Sequence, residues 1–266
     1  MMPNANILNL EGKRSGSVEL PAAFGEEVRR DLIARAIHAE NTTRLQPQAH
    51  YLLAGMQTTA RYYGAMSSYR TGRHMGMAIR PRQKLGGGVQ GKVKRIPSAV
   101  KGKRAHPHKI EKVLIERINS KEYQKAIRSA IAATIDPKYA RVKLEGIQMP
   151  LILSSDIENI RKTKDMVALL SRLGLTPAIE IGKKKTKKKG IRRAHIQRKY
   201  RKSILMVLGG NSNAVKAARN ISGAEVCAVE DLSANKLAPG GLPGRLTIWS
   251  EAAISKLDAA INSMKL

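Results

Sequence analysis

Two segments of this 266-residue chain contain no aspartate or glutamate, and they limit which parts of it can fold unaided. Residues 41–110 hold 14 Lys and Arg, and residues 183–202 hold 12. The other residues hold 23 basic and 20 acidic side chains, so nearly all of the net charge of +29 lies in the two segments. A solvated helix face usually mixes both signs of charge. The two segments therefore predict a polyanionic partner, most commonly a nucleic acid.

The rest of the composition is typical of a globular protein, with 42% apolar residues. The single cysteine, Cys227, excludes an intrachain disulfide framework and a cysteine-based zinc site. The first 12 residues lack the apolar core of a signal peptide, and no stretch approaches the roughly 20 apolar residues that span a bilayer. We expect a soluble cytoplasmic protein that makes no membrane contact.

The middle of the chain, from about residue 61 to residue 109, loses hydrophobic periodicity. Glycines and prolines recur through it, and its apolar residues stand singly, so it cannot bury enough surface to order itself. We predict an extended basic loop at residues 58–107, and a discontinuous globular domain formed by residues 1–57 and 108–266. Residues 183–202 are predicted to form a second basic loop, between two strands of that domain.

The flanking parts alternate between strand and helix patterns. We predict a hairpin at 6–10 and 16–20, and buried strands at 150–153, 203–208, 224–229 and 246–249. Helices are predicted at 26–39, 110–119, 122–135, 213–219 and 251–264, and around an apolar stripe from Met166 to Leu173 that a capping box at Ser155 and Glu158 precedes. The fold class is α/β, a three-layer domain with a mainly parallel central sheet flanked by helices and interrupted by the long basic loop.

Residues 86–92 (GGGVQGK) come close to the phosphate-binding loop of nucleotide-binding proteins. Val93 stands where that loop needs a Ser or Thr hydroxyl, and we predict no strand before the glycines and no helix after them. A glycine turn with exposed backbone that contacts RNA explains the same residues. The fingerprint of dinucleotide-binding folds is absent from the sequence, so the α/β pattern gives no reason to expect a cofactor.

Catalytic and metal sites are not expected. His106 and His108 lie close together, but no third ligand is near them in the sequence. The basic segments offer no carboxylate that could act as a base, and acids elsewhere fit helix starts and exposed faces. We therefore predict no enzymatic activity, no metal and no cofactor.

The positive interpretation rests on contacts with the RNA backbone. Basic residues in the long segment alternate with small or flexible ones, so guanidinium and ammonium groups can approach phosphates, and Tyr62, Tyr63 and Tyr69 could stack on bases. The RNA-binding candidates in this segment are Arg61, Arg70, Arg73, Arg80, Arg82, Lys84, Lys92, Lys94, Arg95, Lys101, Lys103, Arg104, His106 and His108.

The shorter segment is denser in lysine and predicts an electrostatic clamp. A nuclear-targeting signal or a disordered tail is the alternative for such a run. Its predicted place between two strands favours the clamp. The candidates are Lys183, Lys184, Lys185, Lys187, Lys188, Lys189, Arg192, Arg193, Arg198, Lys199, Arg201 and Lys202.

Four stretches carry a resemblance to a known family, and the third and fourth are long and unusual. They are residues 18–24 (VELPAAF) with 28–33 (VRRDLI), residues 69–73 (YRTGR), residues 96–108 (IPSAVKGKRAHPH) and residues 237–249 (LAPGGLPGRLTIW). Nearly end to end, the chain resembles the L-four family of large-subunit ribosomal proteins in its archaeal and eukaryotic form.

The resemblance implies a structural ribosomal protein whose globular domain lies on the outer side of the large subunit. A long loop would thread inward through ribosomal RNA and place its tip in the wall of the nascent-peptide exit tunnel. The implied partners are large-subunit ribosomal RNA, neighbouring large-subunit proteins and the nascent peptide, and no homo-oligomer is expected. The tunnel-proximal candidates are Tyr69, Arg70, Gly72, Arg73, His74, Met75 and Met77.

Two other classes of function stay open at this point. An α/β RNA-modifying enzyme would be favoured by tight nucleotide binding to the isolated protein. A general nucleic-acid-binding protein would be favoured by equal affinity for duplex DNA and structured RNA at raised salt.

Overall fold

A computed structural model describes residues 4–62, 64, 73, 76–142, 148–185 and 200–264. The chain divides into two compact units. The first unit comprises residues 1–44 and 115–266, and the second comprises residues 45–114. The predicted ends of the RNA-penetrating loop, at residues 58 and 107, both fall within the second unit. The extent of that loop stays a prediction.

Eight strands and seven α-helices occur among the described residues. In chain order, the strands are β1 (Asn4–Leu8), β2 (Arg14–Glu19), β3 (Arg82–Lys84), β4 (Gln90–Val93), β5 (Leu151–Leu153), β6 (Ile204–Leu208), β7 (Ala224–Ala228) and β8 (Leu246–Ser250). The helices are α1 (Arg30–Thr42), α2 (Ser120–Ala132), α3 (Thr163–Arg172), α4 (Thr176–Lys183), α5 (Asn213–Ala218), α6 (Ala234–Leu237) and α7 (Glu251–Ser263). No helix in this part of the chain has the length and hydrophobicity to cross a membrane.

The first unit is organised around a six-stranded sheet with the order β2–β1–β5–β8–β6–β7. Strands β1 and β2 form an antiparallel hairpin, and every other neighbouring pair is parallel. All residues of β5, β6 and β8 are buried, because helices cover both faces of a parallel sheet. The α/β class with a mostly parallel central sheet is confirmed.

Two hydrophobic cores lie on opposite faces of this sheet. Alternation along β6 sends Leu205 and Val207 to one face and Met206 to the other, since successive side chains of a strand point in opposite directions. The first face packs against α1, α2, α6 and α7, and the second packs against α3, α4 and α5. In the first core, the rings of Phe24 and Trp249 meet edge to face with centroids 5.3 Å apart. The unit therefore has three layers.

The helix prediction for residues 110–119 is wrong. These residues contain no helix, and α2 starts at Ser120. Ile110 and Val113 are 65% and 86% exposed, so a helix here would lack the packing that short helices need. The pattern also missed α4, which follows α3 after a tight turn at Gly174 (φ +72°) and has Pro177 in its first turn.

The predicted capping box at Ser155 and Glu158 is also wrong. Both residues lie in a short 3-10 helix, Ser155–Asn159, that precedes α3. The Glu158 carboxylate accepts hydrogen bonds from the Gly209 backbone N–H (2.8 Å) and the Ser250 hydroxyl (2.9 Å). Glu158 thus links the carboxyl ends of β6 and β8 instead of capping a helix.

Glu40 differs from the general expectation that acids lie at helix starts and on exposed faces, because the structure buries it, at 6% exposure. Its carboxylate accepts hydrogen bonds from the Tyr123 hydroxyl (2.7 Å) and from the backbone N–H groups of Ala234 (2.7 Å) and Asn235 (3.0 Å). Burial and the adjacent carboxylate raise the pKa of the Tyr123 phenol above its usual value. This one side chain joins α1, α2 and α6.

Arg245 and Glu225 form a largely buried ion pair near the starts of β7 and β8. Arg245 is 1% exposed, and its guanidinium donates to the Glu225 carboxylate and to the carbonyls of Lys236 and Ile204, each at 2.7 Å. Glu225 also accepts from Lys202 Nζ at 3.0 Å. Burial opposes ionisation of Glu225, but the hydrogen bonds from Arg245 and Lys202 outweigh it and hold the pKa of that carboxyl below its usual value.

Replacing Glu225 with Gln should destabilise the free protein by about 3 kcal/mol, because it leaves the buried Arg245 charge uncompensated. Denaturant unfolding measures the effect, and the exposed Glu230→Gln is the matched control, expected within about 0.5 kcal/mol of the unaltered chain. The deficit should shrink as pH falls through the folded pKa of Glu225, because protonation then removes the same charge. Equal stability of the two variants at neutral pH would contradict this account.

Candidate nucleic-acid interface

The second unit is organised by a short antiparallel hairpin. Arg82 of β3 lies opposite Val93 of β4, and Lys84 lies opposite Gln90. Arg61 extends the hairpin, because its backbone exchanges hydrogen bonds with that of Arg82 at 3.2 and 3.3 Å. Three predicted RNA-binding residues, Arg61, Arg82 and Lys84, are therefore brought together by backbone pairing.

The prediction that no strand precedes the glycines of residues 86–92 is wrong, since β3 does so directly. Its sequence, Arg-Gln-Lys, has no apolar alternation, so it gave no strand signal. The glycines make a 3-10 turn, Gly86–Gly88, with Gly87 at φ +70°, and strand β4 follows in place of a helix. The segment is thus a hairpin turn, without the strand–loop–helix arrangement that cradles nucleotide phosphates.

Most of the predicted RNA-binding residues in the second unit are exposed, and a few are half-buried. Those exposed are Arg61, Arg73, Arg80, Lys84, Lys92, Lys101, Lys103, Arg104, His106 and His108, and those half-buried are Arg82, Lys94 and Arg95. Arg95 Nη1 donates to the Ala60 carbonyl at 3.3 Å, and Arg82 Nη2 donates to the Ala78 carbonyl at 3.4 Å. The half-buried guanidinium groups therefore also order the unit itself.

A compact turn presents the cations at residues 101–104. Its backbone is closed by hydrogen bonds from Ala99 to the Ile96 carbonyl (3.1 Å) and from Gly102 to the Ala99 carbonyl (3.0 Å). Gly102 is required here, because a Cβ at this position would lie 1.9 Å from the Ile96 carbonyl oxygen. Lys101 adopts φ +56°, a conformation that non-glycine residues rarely adopt. The turn holds Lys101, Lys103 and Arg104 outward.

The two units differ in whether their basic side chains form ion pairs. Arg35 pairs with Glu122 in the first unit, and Lys202 and Arg245 pair with Glu225 there. In the second unit, Arg61, Arg80, Lys92, Lys101 and Lys103 form no ion pair with any described residue. Exposed cations without carboxylate partners are free to contact phosphates.

The shorter basic segment lies between β5 and β6 in chain order, and its first residue is part of a helix. Lys183 is in the last turn of α4, and Lys185 forms an antiparallel bridge with Tyr200 just before β6. The Lys185 ammonium lies 5.3 Å from the centroid of the Tyr200 ring. Lys202 pairs with Glu225, so this predicted RNA-binding residue also stabilises the fold, whereas Lys184 and Arg201 are exposed.

Several candidates lie outside the described residues. They are Arg70, Lys187, Lys188, Lys189, Arg192, Arg193, Arg198 and Lys199 among the RNA-binding candidates, and Tyr69, Gly72, His74 and Met75 among the tunnel-proximal candidates. Arg73 and Met77 are described and exposed. All of these assignments stay predictions.

A third basic group, which sequence reasoning missed, lies on the first unit. The guanidinium of Arg30 lies 4.8 Å from the centroid of the Tyr139 ring, and the ammonium of Lys138 lies 5.9 Å from it. Two residues after Tyr139, Arg141 donates to the Pro239 carbonyl at 2.8 Å, and burial, with the charge of Arg245, lowers the pKa of Arg141. The group combines cations with an aromatic face, which suits RNA.

Local acids hide this group in the sequence. Asp31 follows Arg30 directly, and Asp136 comes two residues before Lys138. The structure shows both acids engaged, Asp31 with the Arg29 side chain (2.9 Å) and Asp136 with the Lys138 backbone N–H (2.9 Å). A count of charge by segment therefore cannot detect the group.

Metal binding has no support in the part of the chain that the structure describes, where no cluster of three or more His, Cys, Asp or Glu side chains could hold an ion. His106 and His108 are both exposed. Cys227 is buried, and burial raises the pKa of its thiol to about 11, so the thiolate that reacts or binds metals is disfavoured at neutral pH.

Residues 18–260 match the model of the ribosomal protein L4/L1 family. The chain is also similar to large ribosomal subunit protein uL4 of several archaea. It is 41% identical to that of Methanocaldococcus jannaschii, over 95% of this chain and 97% of the relative. It is 40% identical to that of Methanococcus maripaludis strain C6 (96% and 98%), and 41% identical to that of Methanococcoides burtonii (97% and 98%).

Substituting Gly102 with Ala should open the turn that presents Lys101 and Lys103, because the new Cβ cannot fit against the Ile96 carbonyl. A strain of about 1–3 kcal/mol would raise the rate of tryptic cleavage in this turn by roughly fivefold to a hundredfold. Timed proteolysis with mass spectrometry measures it. Gly86→Ala is the control, since a Cβ there meets nothing within 4 Å. Identical cleavage in both variants would show that the turn does not depend on the glycine.

Proposed function

Because this chain belongs to the ribosomal protein L4/L1 family, we propose that it is a structural constituent of the large ribosomal subunit in the cytoplasm. It binds large-subunit ribosomal RNA, supports assembly of the subunit and contacts neighbouring ribosomal proteins. It is not an enzyme, so the alternative of an RNA-modifying activity is set aside. The observation that carries the proposal is the exposed, acid-poor cationic surface of the second unit in a chain of this family.

Backbone phosphates are the part of the RNA that this surface suits best. The turn around Gly102 and the hairpin of β3 and β4 both present cations on short segments that backbone hydrogen bonds hold in place. Contacts of this kind set the position and orientation of a protein on RNA and are largely independent of base sequence. The first unit contributes the Arg30, Lys138 and Arg141 group as a further phosphate contact.

The tunnel assignment belongs to the same proposal. Residues 58–107 would pass through ribosomal RNA, and the part around Arg73 and Met77 would reach the wall of the nascent-peptide exit tunnel. The support is the resemblance of residues 69–73 to the family, together with exposure of Arg73 and Met77. An exposed methionine in a cationic segment suits a wall that meets many peptide sequences, because its side chain adapts to varied partners.

The first test is fractionation of the cells that make the protein. The chain should sediment with large ribosomal subunits in stoichiometric amount, and it should stay with them through washes at moderate salt because many phosphate contacts act together. Quantitative mass spectrometry of gradient fractions measures this. Recovery mainly as free protein, or on DNA, would overturn the proposal.

A second test separates the loop from the globular unit. Deleting residues 70–79 should leave the unfolding midpoint of the free protein nearly unchanged, because no described residue in this range belongs to either hydrophobic core of the first unit. Subunits that carry the deletion should assemble poorly or show an altered tunnel wall by electron microscopy. A deletion of equal length within α2 is the control that should unfold the protein. Substantial unfolding of the 70–79 deletion would show that the loop is misplaced.

A further inference from the structure

A groove on the first unit differs in character from every basic surface described above. It has a volume of about 580 Å³ and lies between the end of β2 and the start of α7. Its lining is partly apolar, with Val18, Leu20, Pro21 and Ile254. Glu19, Glu251 and Asp258 also line it, and none of the described residues lining it is Lys, Arg or His.

Strand β2 forms one side of this groove and is an edge of the sheet. Among the described residues it pairs only with β1, so its outer edge has no strand partner. Backbone groups on an exposed edge can pair with an added extended chain, which is a common way for a peptide segment to dock. The geometry of the groove therefore suits an extended polypeptide.

The charge of the groove selects the chemistry of its occupant. The carboxylates of Glu19, Glu251 and Asp258 are exposed and form no ion pair with a described residue. In a protein of net charge +29, such a group attracts basic segments and repels phosphates. Glu251 also has a structural role in the first turn of α7, where an acid stabilises the helix dipole. The side chains of Glu19 and Asp258 form no hydrogen bond or ion pair with a described residue.

We propose that this groove is the docking site for an extended, lysine- and arginine-rich segment of a neighbouring protein in the large subunit. The inference rests on the proposed function, because it requires the chain to be inside that subunit. Apolar side chains of the segment would pack on Val18 and Pro21, and its cations would pair with Glu19 and Asp258. The groove thus faces protein, whereas the cationic surfaces face RNA.

The test uses intact large subunits that contain the full chain. A water-soluble carbodiimide joins carboxylates to lysine amines that touch them, and mass spectrometry identifies the joined peptides. We expect Glu19, Glu251 or Asp258 to be joined to a lysine-rich segment of another ribosomal protein. Labelling of all three only by an added small amine would overturn the inference, since the groove would then be open to solvent. Joining to lysines of this same chain would overturn it too.

A paired substitution tests the energetics. In subunits that carry Glu19→Gln with Asp258→Asn, the yield of cross-links from the remaining Glu251 should fall several-fold, and the joined protein should be lost at lower salt. Glu180→Gln with Glu230→Gln removes the same charge from exposed positions outside the groove and should change neither quantity. Thermal unfolding of both free variants checks that they fold. Equal yields from the two variants would contradict the inference.

The two proposals fail in different ways. Absence of the chain from large subunits would remove the proposed function and the docking site together. Full incorporation of the chain, with the groove carboxylates free, would remove the docking site alone.

Discussion

Repulsion between like charges decides how this chain can be divided. Ninety residues carry 26 basic side chains and no acid, so their charges repel one another, and no described residue of the second unit belongs to either hydrophobic core of the sheet. The core must therefore come from the rest of the chain, where basic and acidic residues nearly balance. The six-stranded sheet and its two helical layers use those residues almost exclusively, and the cations are left for an external polyanion.

Burial inside the first unit follows the same constraint, because each buried charge there has a defined partner. Arg245 is compensated by Glu225 and two carbonyls, and Glu40 is compensated by Tyr123 and two backbone N–H groups. Removing water from an uncompensated ion is too costly for a folded protein of ordinary stability. Arg245 belongs to one of the stretches that resemble the family, so part of that stretch serves the fold and does not reach RNA directly.

Elements of this fold could be predicted from the sequence where their packing requires a particular local pattern of residues. Strands β5, β6 and β8 were predictable since burial on both faces demands uninterrupted apolar runs. Strand β3 was not, because its Arg-Gln-Lys sequence has no apolar alternation and its pairing with β4 is made by the backbone. The Arg30 and Tyr139 contact joins residues far apart in the sequence, and Glu158 bonds to Gly209, which follows β6, and to Ser250 of β8. Local sequence patterns contain no information about such contacts. The acid-free segments, in contrast, can be recognised from the local composition alone.

The first unit carries a cationic surface and an acidic groove. Phosphates attract the Arg30, Lys138 and Arg141 group and repel the groove that contains Glu19 and Asp258, so the two surfaces favour different neighbours. The free edge of β2 offers backbone pairing to an extended segment, and the carboxylates of the groove favour the basic segments that RNA-binding proteins carry in abundance. The few exposed acids of this strongly basic chain thus select a type of partner, as its cations do.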